Sequence, residues 1–235
     1  MKYSNDALPD IAAEAATNPI AEQAMLESQL RALDERRRGL ADNASARDHA
    51  LIDLQMAHTL VGLQRGQEAW SVGRRAFDVF MASGDREHAV DACDALFQAE
   101  QEGSLSALGQ GIWLAVTFPI DPELTVSMLH HVIDDTPDDS DGAAVAAATA
   151  AFIADFRAEG KQRENLKFFT GQMLGNVARR HSQVETREQF AYWLIKLELD
   201  DPDKFLPRLR NVVDVLVQDD WWFDRGSLQA ELPTE

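Results

Sequence analysis

Residues 50–85 read ALIDLQMAHTLVGLQRGQEAWSVGRRAFDVFMASGD. Apolar residues recur at helical spacing on both sides of Arg65-Gly66, the pattern of two amphipathic helices joined by a tight turn. Small residues fall where those helices must touch. A missing side chain lets two helix axes approach, so alanines at the crossing points mark the building block of stacked helical arrays. The stretch predicts an all-α fold of antiparallel hairpins, and arrays of that kind bind more often than they catalyse.

Working outward, a chain of 235 residues with 45% hydrophobic side chains has ample material for a core. Its 40 acidic and 22 basic side chains give a formal charge of −18. That field repels phosphates and anionic lipid surfaces, so neither nucleic acid nor membrane is an expected partner, whereas a basic protein segment is attracted. The single cysteine, Cys93, excludes an internal disulfide and sits in a helical pattern where a buried thiol is the ordinary outcome. Asp6, Asp10 and Glu14 interrupt every apolar run of signal length near the N-terminus, and no stretch is long enough to span a bilayer. Cytoplasmic residence is the expectation.

Residues 1–18 read as a tail bounded by Pro9 and Pro19, and 226–235 as a second, polar tail. Between them, helices are expected over about 20–40, 46–64, 67–82, 86–101, 104–118 and 122–133. Ser45 with Asp48 forms a capping-box variant, and Asp121-Pro122-Glu123 is an N-cap, a first-position proline and an acid at the positive helix end. Gly109 and Gly111 lower helicity but allow close packing of another helix. The segment IDDTPDDSDG around Pro137 is the clearest interruption, dividing an array over 19–136 from a helical part over 137–225 that is expected to be continuous with it. Beyond it comes an alanine-rich helix ended by Gly160, then helices over about 164–180, 186–199 and 202–217. Thr186 with Gln189 makes a second capping box, and the last helix continues past Pro207. The expected architecture is an irregular α-solenoid or helical array.

Counted from Ala50, residues Met56, Ala57 and Leu60 occupy the large-small-large positions of a repeat's first helix, and Ala69 and Ala76 the small positions of its second. In this hairpin, residues 50–83, the chain resembles the tetratricopeptide-repeat family. Asp53 stands where that family places an aromatic, Gly73 where it places a bulky residue and Met81 where it places its closing proline. The following period, with Asp91 and Gly103 at key positions, does not restore the pattern. The resemblance implies a helical scaffold that holds a protein or peptide segment.

Candidate contacts on the hairpin are Gln64, Arg74 and Arg75. Arg36, Arg37 and Arg38 close the first helix, either as a patch for an acidic ligand or as cations at the negative end of its dipole. Near the C-terminus, Trp221, Trp222 and Phe223 lie between acids. They are either a docking anchor for a partner or a flap sealing the end of the array.

His130, His131, Asp134 and Asp135 form two overlapping His-x-x-x-Asp pairs, a spacing that puts each pair on one helical face and can hold a transition metal. The alternative is two histidines in a last helical turn leading into an acidic loop. His49, His58, His88 and His181 have no partner at ligand spacing. The aspartate run lacks the spacing, glycine and terminal glutamate of an EF-hand, and no nucleophile elbow or phosphate-binding glycine loop occurs. No catalytic residues and no cofactor are expected. The leading expectation is a non-enzymatic scaffold or adaptor. A maturation or secretion chaperone is related to it, and a metal-dependent or small-ligand helical enzyme using the four His130–Asp135 side chains is the alternative.

Overall fold

The computed structural model describes residues 19–41 and 43–232, so the expected tail 1–18 lies outside the described residues, as do the last three positions. Among the described residues there are eleven helices and no strand. They are α1 (Pro19–Arg38), α2 (Ala46–Gly62), α3 (Gly66–Ser83), α4 (Arg86–Gln98), α5 (Ser104–Thr117) and α6 (Pro122–Asp135). The chain continues through α7 (Asp141–Arg157), α8 (Gly160–Ser182), α9 (Arg187–Lys196), α10 (Pro202–Val217) and a short α11 (Arg225–Gln229). None is long and apolar enough to cross a membrane.

The helix starts follow from capping chemistry. Ser45 and Thr186 form complete capping boxes with Asp48 and Gln189, while the side chains of Asp121 and Asp201 accept backbone N–H bonds ahead of Pro122 and Pro202. Two boundaries differ from expectation. Gly160 opens α8 instead of ending α7, which stops at Arg157; its φ of 51° turns the chain between the two helices at little steric cost. The segment from 226 is not simply a polar tail: Asp224 caps α11, Leu228 is buried, and Glu231 pairs with Arg86 at 3.1 Å.

Helix α3 packs against α2 and α4, α5 against α4 and α6, and α7 against α6 and α8, while α2, α4, α6 and α8 touch in succession. Helix α10 returns to lie across α5 and α7. One buried cluster runs from Ala50 to Leu228 and includes Val132 and Ile133 before Pro137 and Ala143 and Ala144 after it. The helices on both sides of Pro137 therefore share a core.

Small residues set the spacing. Ala57, Ala69 and Ala76 are no more than 1% exposed, and the space above Gly73 is taken by Leu96 of α4, whose side chain would lie 3.2 Å from a Cβ there. A bulky residue at 73 would push α4 away. Asp53, at the aromatic position, is a buried carboxylate held by Arg37 of α1 at 3.1 Å and Arg75 of α3 at 3.4 Å, so it clamps three helices. The alanines of α7 are buried from Ala143 to Ala150 under α6, α8 and α10. Both glycines of α5 are contact points: a Cβ on Gly109 would meet Val217 of α10 at 2.5 Å, and one on Gly111 would meet Cys93 of α4 at 2.7 Å and also the Met128 methyl of α6.

Gly111→Ala is expected to cost about 1–3 kcal/mol by overpacking, read as a lower urea midpoint. Gly171→Ala in α8 provides the contrast, since nothing lies within 4 Å of a Cβ there. It is expected to gain about 0.5–1 kcal/mol from helix propensity. Equal effects of the two would show that the α4–α5–α6 approach is looser than described.

Candidate functional site

The face formed by α2, α4 and α6 gathers polar side chains far apart in the chain. His58 of α2 brings Nε2 to 2.8 Å from Asp91 Oδ1 of α4. One helical turn further on, Asp94 Oδ1 lies 2.7 Å from His131 Nε2 of α6, and its Oδ2 accepts from Gln98 Nε2 at 2.6 Å. The ring of His131 also rests on Phe97, 4.7 Å between centroids, which fixes its orientation. Asp94 and His131 are mostly covered, at 13% and 22% side-chain exposure, whereas His58 and Asp91 are about one-third open. Ligand atoms of His58, Asp91 and Asp94 all fall within 4.8 Å of one another.

The Asp91 hydrogen bond raises the His58 pKa above the ordinary 6.5; burial works against this, and the charges of Asp91 and Asp94 add to it. A raised native pKa means the protonated ring stabilises the fold at low pH, and that contribution disappears as pH rises through the native value.

Alongside the cluster runs a cleft of about 640 Å³ whose lining includes Gln64, Phe97, Gln98, Glu100, His131 and Asp135. Gln64 and Glu100, two residues past the ends of α2 and α4, both adopt left-handed backbone, at φ 57° and 53°. Their turns shape the rim, and no lysine or arginine is among the lining residues.

Of the candidate partner contacts, Gln64 is exposed on this cleft, while Arg74 and Arg75 are engaged elsewhere. Arg75 pairs with Asp53, and Arg74 pairs with Asp78 and lies over the Trp222 ring, 4.2 Å from its centroid. The arginines closing α1 also have partners in the chain: Arg37 on Asp53, Arg38 on Asp34 and Arg36 on Gln55.

Trp221, Trp222 and Phe223 are half-buried against their own chain. Trp222 meets Trp70 and Phe77 edge-on at 6.1 and 5.1 Å, and Phe223 and Trp221 pack on Trp113. Gln110, fully buried on α5, holds the segment from beneath: its Oε1 accepts from the Trp222 backbone N–H at 2.8 Å, and its Nε2 donates to the Asp220 carbonyl at 3.3 Å. The flap alternative describes this geometry. Gln110 carried no functional signal in the sequence; only its place inside an otherwise apolar helix sets it apart.

His130, His131, Asp134 and Asp135 do not converge. His130 reaches Asp134 at 3.4 Å on the outside of α6, His131 turns inward to Asp94, and Asp135 lines the cleft. Residues four apart share a face, but His130 and His131 are consecutive and so lie on different faces of α6, which sends the two pairs in different directions. His58 and His181, without partners at ligand spacing along the sequence, reach the distant carboxylates of Asp91 and Asp141 in space, while His88 meets Asp85 only three residues before it. Cys93 is fully buried, and burial pushes its thiol far above the ordinary value, which makes it unreactive.

Comparison with models of known protein families, with curated proteins and with solved structures gives no match for this chain.

Two expectations follow. An NMR titration should place the His58 ring above 6.5, and the stability difference between the wild type and His58→Gln should be largest below about pH 6 and shrink toward pH 9. A midpoint at or below 6.5 would contradict the Asp91 bond. Separately, Trp222→Ala should cost about 2–4 kcal/mol in chemical unfolding, because it removes a ring wedged against Trp70 and Phe77 and a cation-π contact with Arg74. A loss under about 0.5 kcal/mol would mean that the aromatic segment is not part of the folded unit.

Proposed function

We propose that this protein is a non-enzymatic, tetratricopeptide-like scaffold or adaptor that holds a basic, extended peptide segment of another protein in the cleft between α2, α4 and α6. The observation that carries this reading is the charge of that cleft: Glu100 and Asp135 line it, Asp94 lies behind His131, and no lysine or arginine is among the lining residues. Lysine or arginine side chains entering it find acceptors, while Phe97 offers an apolar floor and Gln64 an amide able to bond a peptide backbone. The chain-wide charge of −18 steers such a segment inward and disfavours acidic competitors.

The aromatic segment enters this reading as a support. Trp221, Trp222 and Phe223 brace α3 and α5, and Arg74 and Arg75 act through Trp222 and Asp53, while Gln64 stands at the binding face.

The test is fluorescence anisotropy with a labelled lysine- and arginine-rich peptide and a glutamate-rich peptide of the same length. The basic peptide should bind with an affinity that falls as salt rises, and the acidic one should not. Asp135→Asn and Gln64→Ala should each weaken binding about two- to five-fold, the scale of a solvent-reachable polar pair. Equal binding of both peptides, or affinity indifferent to these substitutions, would overturn the proposal.

A further inference from the structure

We propose that His58, Asp91 and Asp94 form a binding site for a divalent transition-metal ion of the zinc class, with His131 as the residue that positions Asp94. The inference shares Asp94 and His131 with the peptide-binding reading but does not rest on it, and its test reads metal affinity with no peptide present.

Three features support it. The first is donor chemistry: one imidazole and two carboxylates form a mixed nitrogen and oxygen set suited to a borderline ion, and three protein ligands leave a fourth position for water. The second is geometry. The three ligand atoms lie within 4.8 Å of one another on two packed helices, and Asp91 and Asp94 are three apart on α4, so both carboxylates rise from one face toward His58. In a tetrahedral zinc site neighbouring ligand atoms are roughly 3.3 Å apart, as follows from bonds of about 2.0 Å, so the ion needs only small side-chain rotations to enter.

The third is outer support. Asp94 accepts from His131 on one oxygen and from Gln98 on the other, at 2.7 and 2.6 Å, and His131 is itself held against Phe97. Metal-ligating carboxylates are oriented by such partners. The open sides of His58 and Asp91 give an ion access, while Asp94 is mostly covered. On binding, the ion takes the place of the Nε2 proton that His58 shares with Asp91: a protonated ring releases that proton to solvent and keeps Nδ1–H, and a neutral ring carries its one proton on Nδ1 instead.

His88–Asp85, His181–Asp141 and His130–Asp134 serve as internal comparisons. Each joins a histidine to a carboxylate, and among the described residues none belongs to a set of three converging ligands.

The experiment uses the full chain after treatment with a chelator, titrated with Zn²⁺ by calorimetry, with Co²⁺ as a spectroscopic probe. One Zn²⁺ per chain is expected, with visible Co²⁺ bands of a low-coordinate nitrogen-oxygen site that shift in His58→Gln. His58→Gln and Asp91→Asn should each lower affinity more than ten-fold, and His131→Gln should lower it about ten- to hundred-fold while one site per chain remains. His130→Ala should leave it unchanged. Circular dichroism of each metal-free variant checks folding, and Asp91→Asn, on the half-exposed side, is the informative variant if His58→Gln unfolds. Retained affinity in a folded Asp91→Asn variant overturns the proposal, as does a loss equally large in His130→Ala or several weak equivalent sites.

Discussion

Everything in this array depends on helices approaching one another more closely than ordinary side chains permit. Ala57, Ala69 and Ala76 are sealed at the α2–α3 crossing and its neighbours, Gly73 makes room for Leu96, and Gly111 lets α5 lie against both Cys93 and Met128. Interiors pack at crystal-like density, so one added methyl at such a point moves a helix. The proposed sites inherit this. His58 reaches Asp91, and Asp94 reaches His131, because α2, α4 and α6 are seated closely on the helices behind them, at Gly73 of α3 and Gly111 of α5.

Charged and polar groups then select one arrangement. Asp53 draws Arg37 and Arg75 together and so ties α1 and α3 to α2. A lone buried carboxylate would be costly, and two guanidinium groups offset that cost while fixing the angle at which α1 enters. Gln110 does the same at the far end with neutral chemistry: its amide meets the backbone of Asp220 and Trp222, so the C-terminal segment returns to a defined place on α5. Arg157 caps the C-terminal end of α5 by donating to the carbonyls of Ala115 and Val116 at 2.6 and 2.7 Å. These contacts join residues tens of positions apart, and they separate one packing from the many that an alanine-rich helical chain could adopt.

The aromatic segment and the histidines show how far a linear reading reaches. Trp221-Trp222-Phe223 stands out in the sequence by composition, yet composition does not show what the segment packs on; the positions of Trp70, Phe77 and Trp113 do. His130 and His131 stand out by spacing along one helix, and spacing along one helix is blind to the neighbour. His131 finds its acid on α4, 37 residues earlier, and His58 finds Asp91, 33 residues later. No periodicity within a single helix carries those pairs.

What the sequence determined by itself is what short-range physics encodes. Helical period, the capping residues Ser45, Asp121, Thr186 and Asp201, and the small residues of 50–85 are sufficient for an all-α chain of helices packed on their neighbours and for most helix limits. Cooperation within a few residues governs each of these, so a window of sequence contains the answer. Only the tertiary structure decided which faces meet: that α10 crosses α5 and α7, that Asp53 is a clamp and not a defect, and that Gln64 and Asp135 line a common cleft. It also decided that His58, Asp91 and Asp94 converge. Such pairings depend on the relative rotation and spacing of whole helices, which are set by the sum of many contacts across the core and are written in no single stretch of the chain.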